Sequence, residues 1–116
     1  MLDRLRDLFR GRPCLIQGTG KLPEGMAQRV ALGDALAGGT EVVLARVDGR
    51  LHAVDRVCPH EGGRINDGPL AEGRYLVCPL HSYKFDPRTG EAVGVVCRNA
   101  RVFHLREKAG DCEIWI

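Results

Sequence analysis

The sequence predicts an all-β fold, an antiparallel β-sandwich or small barrel, and three features carry that expectation. Residues 40–47, TEVVLARV, are rich in β-branched side chains and end at Asp48-Gly49, a dipeptide suited to a two-residue hairpin turn. Apolar runs of strand length, about 4–8 residues, recur along the chain between Gly, Pro and Asp. A second hairpin closes the chain, with ARVFHLRE and CEIWI on either side of residues 108–111.

In chain order, Leu2, Leu5, Leu8 and Phe9 recur at helical spacing. Residues 1–12 therefore read as an amphipathic helix or a tail before a single domain over 13–116. Residues 32–39, LGDALAGG, have room for one helical turn before their Gly-Gly break. The first hairpin returns through RLHAVD, residues 50–55. RYLVC, residues 74–78, is a short strand, DPRTG is a turn, and EAVGVV, residues 91–96, resumes extended structure. There is no internal repeat and no linker.

A chain of 116 residues fits one domain with one modest core. Its net charge of +2 comes from basic residues spread along the chain with no interleaved aromatics, which argues against nucleic-acid binding. No apolar segment approaches the roughly 18 residues a membrane span needs, and the N-terminus is charged throughout, unlike a signal peptide. A cytoplasmic protein is expected. Five cysteines exclude a fully paired disulfide framework within one chain. Cys14, Cys97 and Cys112 lie in or beside apolar runs and read as small hydrophobes.

The other two cysteines lie beside histidines. Cys58-x-His60 and Cys78-x-x-His81 fall between predicted strands, so two neighbouring loops can each bring one thiol and one imidazole to a common tip. Gly62, Gly63 and Gly68 permit the tight backbone such a tip needs, and Pro59 and Pro79 stiffen it. Zinc is one occupant for two thiolates and two imidazoles. Zinc fingers, however, keep the cysteines in one pair and the histidines in another. One of each per loop also suits two metals, one taking both cysteines and the other both histidines, as in a [2Fe–2S] centre where two histidines replace two cysteines on one iron.

The loops resemble those of Rieske ferredoxins. Cys58, His60, Gly62, Ile65 and Gly68 follow the family's first loop, with isoleucine in a leucine place; Cys78, Pro79, His81, Phe85, Asp86, Thr89 and Gly90 follow the second. The resemblance implies a Rieske-type fold with a cluster-binding subdomain of two loops, spanning about residues 57–90. It implies one [2Fe–2S] cluster on Cys58, His60, Cys78 and His81, and a one-electron carrier that is not itself an enzyme. Its partners would be a reductase and a terminal oxygenase or, in a second assignment, the large subunit of an NAD(P)H-dependent nitrite reductase. A zinc-stapled binding module remains the reading from another class.

With neutral histidines, two ferric ions, two sulfides and two thiolates sum to zero charge, so taking up an electron costs less Coulomb energy than in an all-cysteine cluster. That places the potential at about −150 to +300 mV rather than near −400 mV. Gly63 and Leu80 occupy the places where the high-potential branch carries an extra disulfide, and Phe85 stands where that branch has a hydroxyl. Fewer hydrogen-bond donors predict the lower end of the range. Around the tip, Arg56, Glu61, Arg64, Lys84 and Arg88 are candidates for orienting a redox partner. His52 and His104 read as ordinary strand histidines and Trp115 as packing.

Overall fold

The computed structural model of the chain describes residues 13–32, 40–59, 62–80 and 82–116. The helix expected within residues 1–12 and the turn after Leu32 lie outside the described residues. Those that are described form β1 (Cys14–Ile16), β2 (Met26–Leu32), β3 (Thr40–Val47), β4 (Arg50–Asp55), β5 (Gly68–Pro69), β6 (Leu76–Cys78), β7 (Tyr83–Phe85), β8 (Val102–Lys108) and β9 (Asp111–Trp115), with one 3₁₀ turn at Thr19–Lys21. Seven strands make a sheet in the order β1-β9-β8-β4-β3-β2-β5, and β6 and β7 pair as a separate hairpin. Every pairing is antiparallel. The sheet curls, because β8 pairs with β4 only at Val102 and Phe103 and then changes partner to β9 over residues 104–108.

Both expected hairpins form. Asp48 and Gly49 connect Val47 to Arg50 with φ of 54° and 78°, the positive pair that matches the twist of the flanking strands. Ala109 and Gly110 do the same between β8 and β9. The first turn is also clamped from outside, where the Glu24 carboxylate accepts hydrogen bonds from the Asp48 and Gly49 amides, each at 2.8 Å.

The continuous apolar text of β3 has a structural reason. A strand sends alternate side chains to opposite faces. Val42 and Leu44 enter a core with Leu51, Ala53, Phe103 and Ile114. Val43, Ala45 and Val47 enter a second core with Ile65, Leu76 and Phe85. One strand thus supports a core on each side, and the second core carries both loop cysteines.

Two sequence expectations differ from the structure. β2 was not anticipated, because Gln28 and Arg29 are exposed in its centre and only Ala27 and Leu32 are buried. Residues 91–96 do not form the expected strand. Ala92 makes one isolated bridge to Phe85, after which Gly94, at φ 75°, bends the chain away. Among the described residues no helix is long and apolar enough to cross a membrane.

Candidate metal centre

The first loop leaves β4 and folds into a miniature hairpin. Val57 and Arg64 form a bridge, and the Ile65 amide donates to the Arg56 carbonyl at 2.8 Å. Inside it, the Cys58 amide donates to the Gly63 carbonyl at 2.7 Å and the Gly62 amide to the Cys58 carbonyl at 3.0 Å. Gly62 takes φ of 71°, a conformation in which most side chains would be strained. Ile65 is completely buried and anchors the loop from below.

The second loop is the turn of the β6–β7 hairpin. Cys78 is the last residue of β6, in register with Tyr83, and Ser82 helps reverse the chain at φ 55°. The Asn66 amide donates to the Val77 carbonyl at 2.9 Å and ties the first loop to β6.

The loops approach each other closely at Gly63. A Cβ there would come within 2.9 Å of Cys78 Sγ and 3.3 Å of Leu80 Cβ, so with glycine this backbone lies against the second cysteine, and a larger residue would have to shift those side chains. Cys58 and Cys78 are each 1% exposed and share one buried cluster. His60, Glu61 and His81 lie outside the described residues. None of the five cysteines is in a disulfide, and Gly63 beside Leu80 leaves that apposition without a cross-link.

Residues beyond the second loop brace it. Asp86 O accepts hydrogen bonds from the Thr89 and Gly90 amides, and the Asp86 carboxylate accepts from the Arg88 amide at 2.9 Å and the Arg88 guanidinium. These Arg88 hydrogen bonds hold the Asp86 carboxyl below its ordinary range. Gly90, at φ 79°, packs so tightly on the Ala100 carbonyl that a Cβ would overlap it. The Ala100 amide returns a hydrogen bond to the Gly90 carbonyl at 2.7 Å. Residues 91–99 therefore form a loop closed at its base.

Cys97, in that loop, packs on the core that holds Cys58 and Cys78. Its thiol is pushed up by burial and by the neighbouring Cys58. Ala92 and Cys97 thus bring this segment against the cysteine core.

Of the charged residues expected at the rim, Arg56 pairs with Glu41 at 3.0 Å, Lys84 with Glu72 at 3.3 Å and Arg88 with Asp86 at 2.9 Å. Arg64 is exposed. His52 is partly buried on β4; burial lowers its pKa and the Asp86 carboxylate opposes that shift. His104 stacks on Trp115 with ring centroids 4.8 Å apart. Both histidines lie within the large sheet, on strands separate from the two loops.

The residues present fit an iron–sulfur group. Two soft sulfur donors come from two loops and are buried in one apolar cluster, with the Gly63 backbone close to the second. A histidine follows each within three residues in the sequence.

Residues 15–106 match the Rieske [2Fe-2S] domain family. The chain belongs to that family. It is 38% identical over 88 residues to the ferredoxin component of the naphthalene 1,2-dioxygenase system of Pseudomonas putida, covering 68% of this chain and 84% of that protein. In fold it is similar to the ferredoxin of carbazole 1,9a-dioxygenase from Nocardioides aromaticivorans, with a TM-score of 0.70 at 23% identity over 90% of this chain and 97% of the other. A chain described as an NADH-dependent nitrite reductase small subunit from Mycobacterium tuberculosis gives a TM-score of 0.63 at 23% identity, over 90% and 96% of the two chains. The Rieske protein carries one [2Fe–2S] cluster and serves as an electron carrier, not as a catalyst in its own right. Family membership removes the zinc-stapled alternative.

Proposed function

We propose that Cys58 and Cys78 hold one iron of the cluster and that His60 and His81 hold the other. The observation that supports this reading is the apposition of Gly63 to Cys78 Sγ and Leu80, which seats the first loop against the second cysteine. The cluster supplies reversible one-electron chemistry when bound. The chain's own residues do the rest. Buried apolar neighbours such as Ile65, Leu76 and Phe85 keep water from the thiolate side. The Asp86–Arg88 turn and the Gly90–Ala100 contact fix the hairpin that carries Cys78 and His81.

Four side-chain ligands complete both irons, leaving no position for a substrate. The protein accepts one electron from a reductase and delivers it to the terminal oxygenase of a ring-hydroxylating or related system. The dioxygenase ferredoxin among its relatives favours this acceptor over a nitrite reductase. Residues 13–116 form the working unit, and the cytoplasm is its location. The midpoint potential falls near the low end of about −150 to +300 mV, because Phe85, buried at the second loop, has no hydroxyl to donate.

Reconstitution with the oxygenase and reductase of the naphthalene 1,2-dioxygenase system tests the assignment. Substrate-dependent NADH oxidation that requires this protein is expected. Turnover independent of it, together with a midpoint above roughly +150 mV, would contradict the reading.

A further inference from the structure

Trp115 is 3% exposed, yet it belongs to neither of the two cores. Along β9, Cys112 and Ile114 enter the core that they share with Phe103, so Glu113 and Trp115 point to the other face of the sheet. His104 and Arg106 share that outer face from β8, because Phe103 and Leu105 point inwards. Leu15, 59% exposed, shares it from β1, opposite Glu113. An indole that faces outwards needs a cover to be this dry.

Among the described residues, the ring and guanidinium contacts on the indole come from one side. His104 stacks at 4.8 Å between centroids, and the Arg106 guanidinium lies 5.4 Å from the ring centre. Both belong to β8. Trp115 Nε1 is buried as well and has no hydrogen-bond partner among the described residues, so solvent is excluded even from the polar edge of the ring.

On the other side of Trp115 runs β1. Its register with β9, Cys14 opposite Ile114, brings residue 13 level with Trp115. The segment that enters the sheet there, residues 1–12, carries Leu2, Leu5, Leu8 and Phe9 at helical spacing. An apolar stripe of that kind is stable only against a surface on which to pack. Gly11, just before Arg12 and Pro13, permits the reversal that would bring the segment back over the sheet. Twelve residues span about 18 Å as a helix, and the two strand spacings from β1 to β8 amount to about 10 Å, so the segment is long enough. Residues 33–39 are worse placed, since they join β2 to β3, and β4 and β8 separate those strands from β9. The family match covers residues 15–106, so the segment and Trp115 both lie outside it.

We propose that residues 1–12 are a clasp, docked through Leu2, Leu5, Leu8 and Phe9 on the outer face of β1, β9 and β8, and that they seal Trp115. The ring is shielded within the single chain, which points to an occupant from the chain itself and not to a second copy or another protein. The clasp closes the large sheet on strands separate from the cysteine loops. It therefore stabilises the domain without touching the cysteines, and it is independent of the carrier function.

The chain has one tryptophan, so fluorescence reports on this site alone. The test compares cluster-loaded full chains: wild type, Leu5→Ser/Leu8→Ser/Phe9→Ser, and Val96→Ser as a control at a fully exposed position. In the triple variant the emission should shift to longer wavelength and quenching by acrylamide should rise several-fold, with the visible spectrum intact. Its melting temperature should fall by about 4 °C or more. Val96→Ser should match wild type in all three. The reciprocal experiment follows tryptic cleavage after Arg4, Arg6 and Arg10, which should be slow in wild type and at least about tenfold faster in Trp115→Ala, because cleavage tracks the population of the undocked segment. Should Trp115→Ala lose cluster, the triple variant decides, since it leaves residues 13–116 unaltered. Emission and quenching unchanged in the triple variant would overturn the proposal. So would tryptic cleavage of wild type as fast as of a free peptide of residues 1–12, which would leave the segment open to a membrane surface or another protein.

Discussion

The core shared by β3, β4, β8 and β9 and the core beneath the cysteine loops draw on the same strand, β3, but differ in what holds them. Around Leu44, Phe103 and Ile114, long ladders hold the chain, with six paired positions between β3 and β4 and five between β8 and β9. Around Cys58, Cys78 and Phe85 the strands are only two or three residues long. There the backbone is fixed by turns, by positive-φ residues such as Gly62, Ser82 and Gly90, and by close contacts such as those at Gly63 and Gly90. The first core needs only burial and ladder hydrogen bonds. The second has short-range order that a bound cluster completes, because metal ligation of separate loops contributes directly to their folding.

The largest expected effect separates the two cores. Cys78→Ala should abolish the visible absorption while the large sheet stays folded. Hydrogen exchange would then rise about 100-fold or more for amides of the loops, β6 and β7, and stay slow in β3, β4, β8 and β9. Uniformly fast exchange would show that the halves fold as one unit and end the distinction.

Next come the paired truncations. Phe85→Ala and Ile114→Ala each remove a completely buried side chain and should cost about 2–5 kcal/mol in chemical denaturation. Only Phe85→Ala should also lower the cluster content per protein, since Phe85 alone of the two lies in the cysteine core. Equal cluster loss in both variants would mean that the cores are coupled.

A smaller contrast uses two glycines of nearly equal φ. Gly49, at 78°, faces open space, whereas Gly90, at 79°, faces the Ala100 carbonyl. Alanine at 49 should cost about 1–2 kcal/mol for its backbone conformation alone. At 90 it must also displace the loop over residues 91–99, so it should cost more and slow cluster retention. Thermal denaturation and the rate of absorbance loss distinguish the two.

The smallest effect is electrostatic. Asp86 is held below its ordinary value of 3.8 chiefly by hydrogen bonds from Arg88. A depressed carboxylate stabilises the fold above its unfolded pKa and loses that contribution as pH falls through the folded value. Asp86→Asn should therefore lower stability at neutral pH by at most about 0.5 kcal/mol after solvent screening, and the difference should fade below about pH 4. Denaturation midpoints across that range would show it, and a gap that widened on acidification would be inconsistent with this pairing.

The same division explains what could be read from the sequence. Both main hairpins were legible because Asp48-Gly49 and the turn at 109–110 announce a local geometry that the flanking strands obey. The cysteine loops were legible because ligand spacing is local too. β2 was not, since its place depends on pairing with β3, and Gln28 and Arg29 hide its inward residues. The path of residues 91–96 departs from the expected extended run for a related reason. Three valines in a short run signal a strand, but Gly94 and the Gly90–Ala100 closure turn that run outwards. The apposition of Gly63 and Leu80 could be expected only from the family's pattern, because the two positions lie in different loops.

The division of ligands between the two irons is tested most directly by pulsed EPR on the reduced protein, with iron and sulfide determined on the same sample. Two irons and two sulfides per chain are expected. Couplings from two ligand nitrogens should be present, and one should disappear in each of His60→Cys and His81→Cys. A cluster with no nitrogen coupling, or with couplings unchanged in both variants, would contradict the assignment of His60 and His81 to one iron opposite Cys58 and Cys78.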